Sequence, residues 1–157
     1  MRKNHVLSIL VENRAGVLSR ISGLFSRRMY NIDSLSVGET ENPNISRMTI
    51  VTTADEDTLT QIKHQLAKLT DVISVTELHT DSAMLREHVL IRVSGKDRVG
   101  VMQICDIFHA GIEDVSVDTL TAELTGTPQK ISAFISLMEQ YGVIDLVRTG
   151  LTGLERG

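Results

Sequence analysis

The residues Glu12-Asn13-Arg14-Ala15-Gly16-Val17-Leu18 stand where a strand-like apolar run, Val6 to Val11, gives way to Val17, Leu18, Ile21, Leu24 and Phe25 at helical spacing. The turn therefore joins a strand to a helix. The first amides of a helix lack internal acceptors, and the aligned peptide dipoles put partial positive charge there, which suits a carboxylate or a phosphate. Gly16 lets the backbone come close to such a group. Asn13 carries both a carbonyl acceptor and an amide donor, so beside bare helix amides it fits a ligand with an ammonium and a carboxylate. An amino acid answers that description. A plainer reading stands beside it at the level of local sequence: Asn13 only forms the turn and Gly16 only eases the helix start.

Catalytic and metal-binding groups are harder to assemble. His5, His64, His79, His88 and His109 show no HExxH or other paired ligand spacing, and there is no GxSxG, P-loop or GxGxxG pattern. Asp55-Glu56-Asp57 reads as the acidic start of a helix rather than a working carboxylate pair. Cys105, between Ile104 and Ile107 in an apolar-periodic segment, reads as a buried, inert thiol. A single cysteine also excludes an internal disulfide and a structural zinc site of the usual kind. Without an acid, base or nucleophile the chain favours binding over catalysis.

Two recurring sets of elements position the turn. The order strand, helix, strand, strand, helix, strand occurs twice, an internal repeat of about eighty residues. Strands are expected near Val6–Glu12, Ile32–Glu39, Arg47–Thr53 and Val72–Leu78, with a helix from Gly16 to Met29 and a second that opens after Asp55-Glu56-Asp57 and aligns Leu59, Ile62, Leu66 and Leu69. Asn42-Pro43-Asn44 marks a hairpin. Thr80-Asp81-Ser82 reads as a linker between residues 1–79 and 80–157. Beyond it, strands are expected at His88–Val93, Glu113–Ser116, Thr119–Leu124 and Val143–Val147, with helices at Val99–Phe108 and from Thr127-Pro128 onward, and then a Gly-rich tail. Two βαββαβ units make the fold class α+β, with two ferredoxin-like domains in tandem, each an antiparallel sheet with its helices on one face. The other face of the first sheet, which carries Val6, Ser8 and Leu10, is mixed rather than fully polar, so another sheet or chain is expected to meet it.

Composition narrows the partners. Of 157 residues 41% are hydrophobic and 23% charged, as in ordinary globular proteins, but only 3% are aromatic and none is Trp, so the core is aliphatic and single-strand stacking platforms are lacking. Sixteen basic and twenty acidic residues give a formal charge of -4 with the basic ones scattered, so no nucleic-acid partner is expected. After Met1–His5 only six mainly apolar positions follow, too few for a signal peptide or membrane span, so no membrane association and a cytoplasmic location are expected.

Glu12 to Arg20 with Gly23-Leu24-Phe25-Ser26-Arg27-Arg28, then Tyr30-Asn31-Ile32-Asp33-Ser34-Leu35 and Ser46-Arg47-Met48-Thr49-Ile50, resembles the regulatory small subunit of acetolactate synthase (acetohydroxyacid synthase). The resemblance continues through Gly126-Thr127-Pro128, Lys130-Ile131, Ala133-Phe134 and the tail from Arg148 to Gly157. Ser94-Gly95-Lys96-Asp97 looks a few residues shorter than the family pattern. The resemblance implies that residues 1–79 are an ACT domain that pairs with a second copy, and residues 80–157 a C-terminal ferredoxin-like domain. It implies a non-catalytic subunit that activates a separate catalytic large subunit and confers feedback inhibition by valine or a related branched-chain amino acid. No cofactor is expected in this chain; thiamine diphosphate, magnesium and FAD are expected on the large subunit. The family's effector contacts fall on Asn13, Ala15, Gly16, Val17 and Leu18 of one protomer and on Asn31 and Ile32 of the facing one, with no catalytic and no metal-ligating residue. Two rivals keep their place: a stand-alone ACT-type sensor acting on another enzyme or on transcription, and an acylphosphatase-like enzyme using Arg14 and Asn31 on a phosphate.

Overall fold

The structure, a computed structural model, describes residues 1–157. The chain divides into two compact units, Met1–Met84 with Leu151–Gly157, and Leu85–Gly150.

The first unit runs β1 (Lys3–Glu12), α1 (Val17–Arg27), β2 (Ser34–Glu39), β3 (Ile45–Ala54), α2 (Glu56–Ala67) and β4 (Val72–Leu78). Its sheet has the order β2-β3-β1-β4 with every neighbour antiparallel, the ferredoxin-like arrangement. Side chains alternate across β1, so Leu7, Ile9 and Val11 face the helices and pack with Met48 and Ile50 of β3. Ile21, Leu24 and Phe25 of α1 and Leu59, Ile62 and Leu66 of α2 close that core. Asp55 caps α2 by accepting a hydrogen bond from the Thr58 amide at 2.7 Å, which is how the acidic run starts the helix. After α1 the chain turns through Met29 at φ 58°, and the Tyr30 amide donates back to the Phe25 carbonyl at 2.9 Å, which delivers Asn31 to the start of β2.

On the helix-free face of this sheet Ser8 and Thr49 are only 3% and 2% exposed. The last residues of the chain lie with this unit. The Leu151 amide donates to the Ser34 hydroxyl at 3.0 Å, and the short strand β9 (Thr152–Glu155) pairs with β5 (Ala83–Ser94), whose first residues also belong here. The sequence places this tail at the end of the second half; it packs with the first unit instead.

The second unit contains most of β5, then α3 (Arg98–Phe108), β6 (Gly111–Val115), β7 (Thr119–Gly126), α4 (Pro128–Met138) and β8 (Val143–Arg148), with the sheet order β6-β7-β5-β8 that repeats the first. Val89, Ile91 and Val93 of β5 pack with Ile104 and Cys105 of α3 and with Ile131 and Phe134 of α4. Thr127 caps α4 with Pro128 at its first turn. Where the sequence looks short, a single 3-10 turn, Gly95–Asp97, joins β5 to α3, and Asp97 caps the helix through the Gly100 amide at 3.0 Å. No helix is long and apolar enough to cross a membrane.

Candidate functional site

The N-terminus of α1 is open. Gly16 sits at its N-cap with φ 87° and ψ −10°, a left-handed conformation that a side chain strains, and no side chain caps the helix. The amides of Gly16, Leu18 and Ser19 find no acceptor in the fold, and that of Val17 reaches only the Arg14 carbonyl at 3.4 Å. Such donors at the positive end of a helix make an anion cradle.

Neighbouring strands hold the cradle in place. The Asn13 amide donates to the Asn44 carbonyl at 2.8 Å and the Glu12 amide to the Asp71 carbonyl at 2.9 Å. Asn13 Nδ2 donates to the Pro43 carbonyl at 2.8 Å and to Glu39 Oε1 at 3.3 Å, so both its protons are engaged and Oδ1 is left as a free acceptor. The site thus pairs bare N–H donors with a bare C=O acceptor, complementary to a carboxylate and an ammonium on one small molecule. Ala15 and Leu18 are exposed and offer aliphatic surface, whereas the Val17 side chain, 3% exposed, belongs to the core and only its backbone faces outward.

Asn31 and Ile32 lie elsewhere. The Asn31 carbonyl accepts from Thr52 Oγ1 at 2.7 Å, its side-chain amide donates to Asp33, and Ile32 packs at the edge of the core. Thr52 pairs with His5 on β1 and Ile45 with Glu12, so the Asn31 end and the Asn13 end are separated by seven strand positions, about 23 Å at the usual rise per residue. The structure therefore brings Asn13, Ala15, Gly16, Val17 and Leu18 together and leaves Asn31 and Ile32 at the opposite end of the same sheet. Sequence reasoning missed Arg20 and Asp71, which brace the turn: Arg20 Nε and Nη2 both lie 2.6 Å from Asp71 Oδ2. Arg20 falls one helical turn after Gly16, but nothing local announces Asp71.

The other titratable clusters serve the fold. Both ring nitrogens of His5 face acceptors, Glu77 Oε2 at 3.0 Å and the Ala54 carbonyl at 3.1 Å, and Lys63 also donates to Glu77 at 3.0 Å. Burial opposes ionisation of Glu77, but these hydrogen bonds and the Lys63 charge outweigh it and hold its carboxyl below the usual range. Burial, with a smaller push from Asp106, raises the Cys105 thiol, the opposite of what a nucleophile needs. No group of three or more His, Cys, Asp or Glu side chains is placed to hold a metal ion.

Residues 7–74 match the family described as the AHAS small subunit-like ACT domain, and residues 86–157 match the family described as the small subunit of acetolactate synthase. The acetolactate synthase small subunit of Mycolicibacterium smegmatis is 43% identical over 155 residues, covering 98% of this chain and 91% of the relative. The small subunit of acetolactate synthase isozyme 3 from Salmonella typhimurium is 44% identical over 155 residues, covering 97% and 95%. Among solved structures, the acetolactate synthase small subunit from Thermotoga maritima superposes with a TM-score of 0.93 at 37% identity, covering 99% of this chain and 98% of that one.

Proposed function

The chain belongs to the acetolactate synthase small-subunit family, and from this premise we propose that it raises the activity of a catalytic large subunit and makes that activity sensitive to valine or a related branched-chain amino acid. It is a regulatory subunit; the effector and the direction of control are the proposal. The observation that carries it is the uncapped start of α1, where Gly16 adopts a left-handed conformation beside the free Oδ1 of Asn13. Amides at the helix start take the effector carboxylate, Asn13 Oδ1 takes its ammonium, and Ala15 and Leu18 border its aliphatic group.

The separation of Asn13 from Asn31 supports a site shared between two copies. β2 is an edge of the sheet, with one side of its backbone unpaired. Antiparallel pairing of β2 with its own copy about a two-fold axis sets the Glu39 end of one protomer against the Ser34 end of the other. Because Asn13 is bonded to Glu39, and Asn31 precedes Ser34, this carries the turn of one protomer toward Asn31 and Ile32 of its partner. Each dimer then holds two equivalent sites.

An effector that bridges two protomers favours the arrangement in which both halves meet, and through it the state of any large subunit bound to the pair. Linkage is reciprocal, so valine affinity changes when the large subunit binds. In this reading thiamine diphosphate, magnesium and FAD belong to the large subunit, and this chain supplies binding and coupling alone. The test is calorimetry with valine, leucine and isoleucine on the chain alone and with its large subunit, together with a pyruvate-condensation assay. A stimulated activity that valine suppresses is expected; no response to any of the three amino acids overturns the site.

A further inference from the structure

The helix-free face of the first sheet carries a second polar depression that the turn at Gly16 does not explain. It holds about 280 Å³ and lies between β2, β3 and the returning strand β9, with Leu154 on one wall. At this size it suits a small metabolite. Its base is Arg47, which is partly buried on β3 yet takes part in none of the ion pairs of the fold. One guanidinium nitrogen donates to the buried Ser8 hydroxyl at 2.7 Å; no acceptor in the fold meets the others. A partly buried guanidinium with no carboxylate beside it, facing an open depression, leaves a charge for a ligand to pair, because partial desolvation of an unpaired charge is costly.

Two features give the depression its ligand chemistry. Gly38 lies directly across the ladder from Arg47, and a Cβ built on it meets nothing within 4 Å, so the space over Arg47 is open. Glu39 and Glu41 also line the depression, and Glu41 makes no ion pair or hydrogen bond. A lone cation at the base selects a carboxylate, and carboxylates at the rim select an ammonium while repelling a simple acid anion. We infer that this depression is a second amino-acid site, distinct from the turn at Gly16, in which Arg47 holds the carboxylate of a small aliphatic amino acid and Glu41 faces its ammonium.

Equilibrium dialysis of radiolabelled valine against the full chain and its Gly16→Asp variant separates the two sites. Wild type is expected to bind two equivalents per chain and Gly16→Asp one. In the Gly16→Asp background Arg47→Gln removes the remaining equivalent, and so does Gly38→Val, which fills the open space on an extended strand that tolerates a β-branched residue. Arg47→Lys keeps the charge and retains weakened binding. Isobutylamine and 2-oxo-3-methylbutanoate, which lack one charged group each, compete at least about tenfold more weakly than unlabelled valine. Circular dichroism confirms that each variant is folded. If wild type binds one equivalent and Gly16→Asp none, the turn site stands and the second site falls. If wild type binds one equivalent that survives Gly16→Asp and is lost with Arg47→Gln, the second site stands and the turn site falls. Binding that persists in both Arg47→Gln and Gly38→Val overturns the assignment.

Discussion

Arg20 and Asp71, 51 residues apart, are bonded through two guanidinium nitrogens to a single carboxylate oxygen, each at 2.6 Å. The Asp71 carbonyl also accepts the Glu12 amide at 2.9 Å, so one residue fixes both the end of β1 and the first turn of α1. Asp71→Ala is therefore expected to loosen the cradle as well as the fold. The stability cost is about 1–2 kcal/mol, kept modest because Arg20 is half exposed and its charge is screened. Urea unfolding measures that cost, and calorimetry with valine should show a larger loss of affinity than the Leu69→Ala variant, which trims the edge of the same core without touching the turn.

Gly16→Asp places a carboxylate where the effector carboxylate is proposed to lie. Its Cβ meets only the flexible end of Arg20, at 3.2 Å, so the variant is expected to fold despite the left-handed backbone. Valine should no longer inhibit the assembled enzyme, while stimulation of the large subunit persists. Gly16→Ala separates charge from strain: it carries a left-handed penalty of about 1 kcal/mol and keeps measurable valine sensitivity. Feedback inhibition that survives Gly16→Asp unchanged places the effector elsewhere.

Glu77 makes acid stability measurable. Its carboxyl is held below its ordinary value of 4.5, so the unfolded chain takes up the proton more readily than the folded one. The contribution of Glu77 to stability is present above pH 4.5 and is lost as pH falls through the lower folded value. Glu77→Gln removes that dependence. Its urea midpoint should lie below wild type near neutrality, and the difference should shrink on acidification. A constant difference across the acid range contradicts this role for the His5–Glu77–Lys63 cluster.

The features that the chain writes locally were legible. Val72–Leu78 has the same limits in sequence and structure, and Thr127-Pro128 opens α4 because a capping hydroxyl and a fixed φ act within one turn. Asp55 caps α2 for the same reason. What escaped is long-range. β9 lies in a Gly-rich tail with no strand periodicity and forms only because β5 offers it a partner. β5 opens at Ala83 rather than His88, since the residues after the linker are recruited by pairing rather than by pattern. At the site, the turn from Asn13 to Leu18 could be read from residue types alone. That Asn31 lies at the far end of the sheet is a consequence of strand order, and that Arg47 lacks a carboxylate partner is visible only once every carboxylate has been placed.

The separation of Asn13 and Asn31 yields the sharpest test of a shared site. If each site takes its turn from one protomer and its Asn31 from the other, Asn31→Ala should abolish the turn-site component of valine binding without altering the cradle in its own chain. Gly16→Asp should abolish the same component from the opposite side. A mixed dimer of the two variants concentrates both defects in one site, because the altered turn faces the altered Asn31. Its other site joins an intact turn to an intact Asn31. Co-refolding equal amounts should then restore about one turn site in four, half of the dimers being mixed and each carrying one intact site. Dialysis in the Arg47→Gln background reads this component alone. Recovery with the predicted stoichiometry requires that two chains build the site together. No recovery, with mixed dimers demonstrated by differential tagging, means that the turn and Asn31 do not act across the two-fold axis.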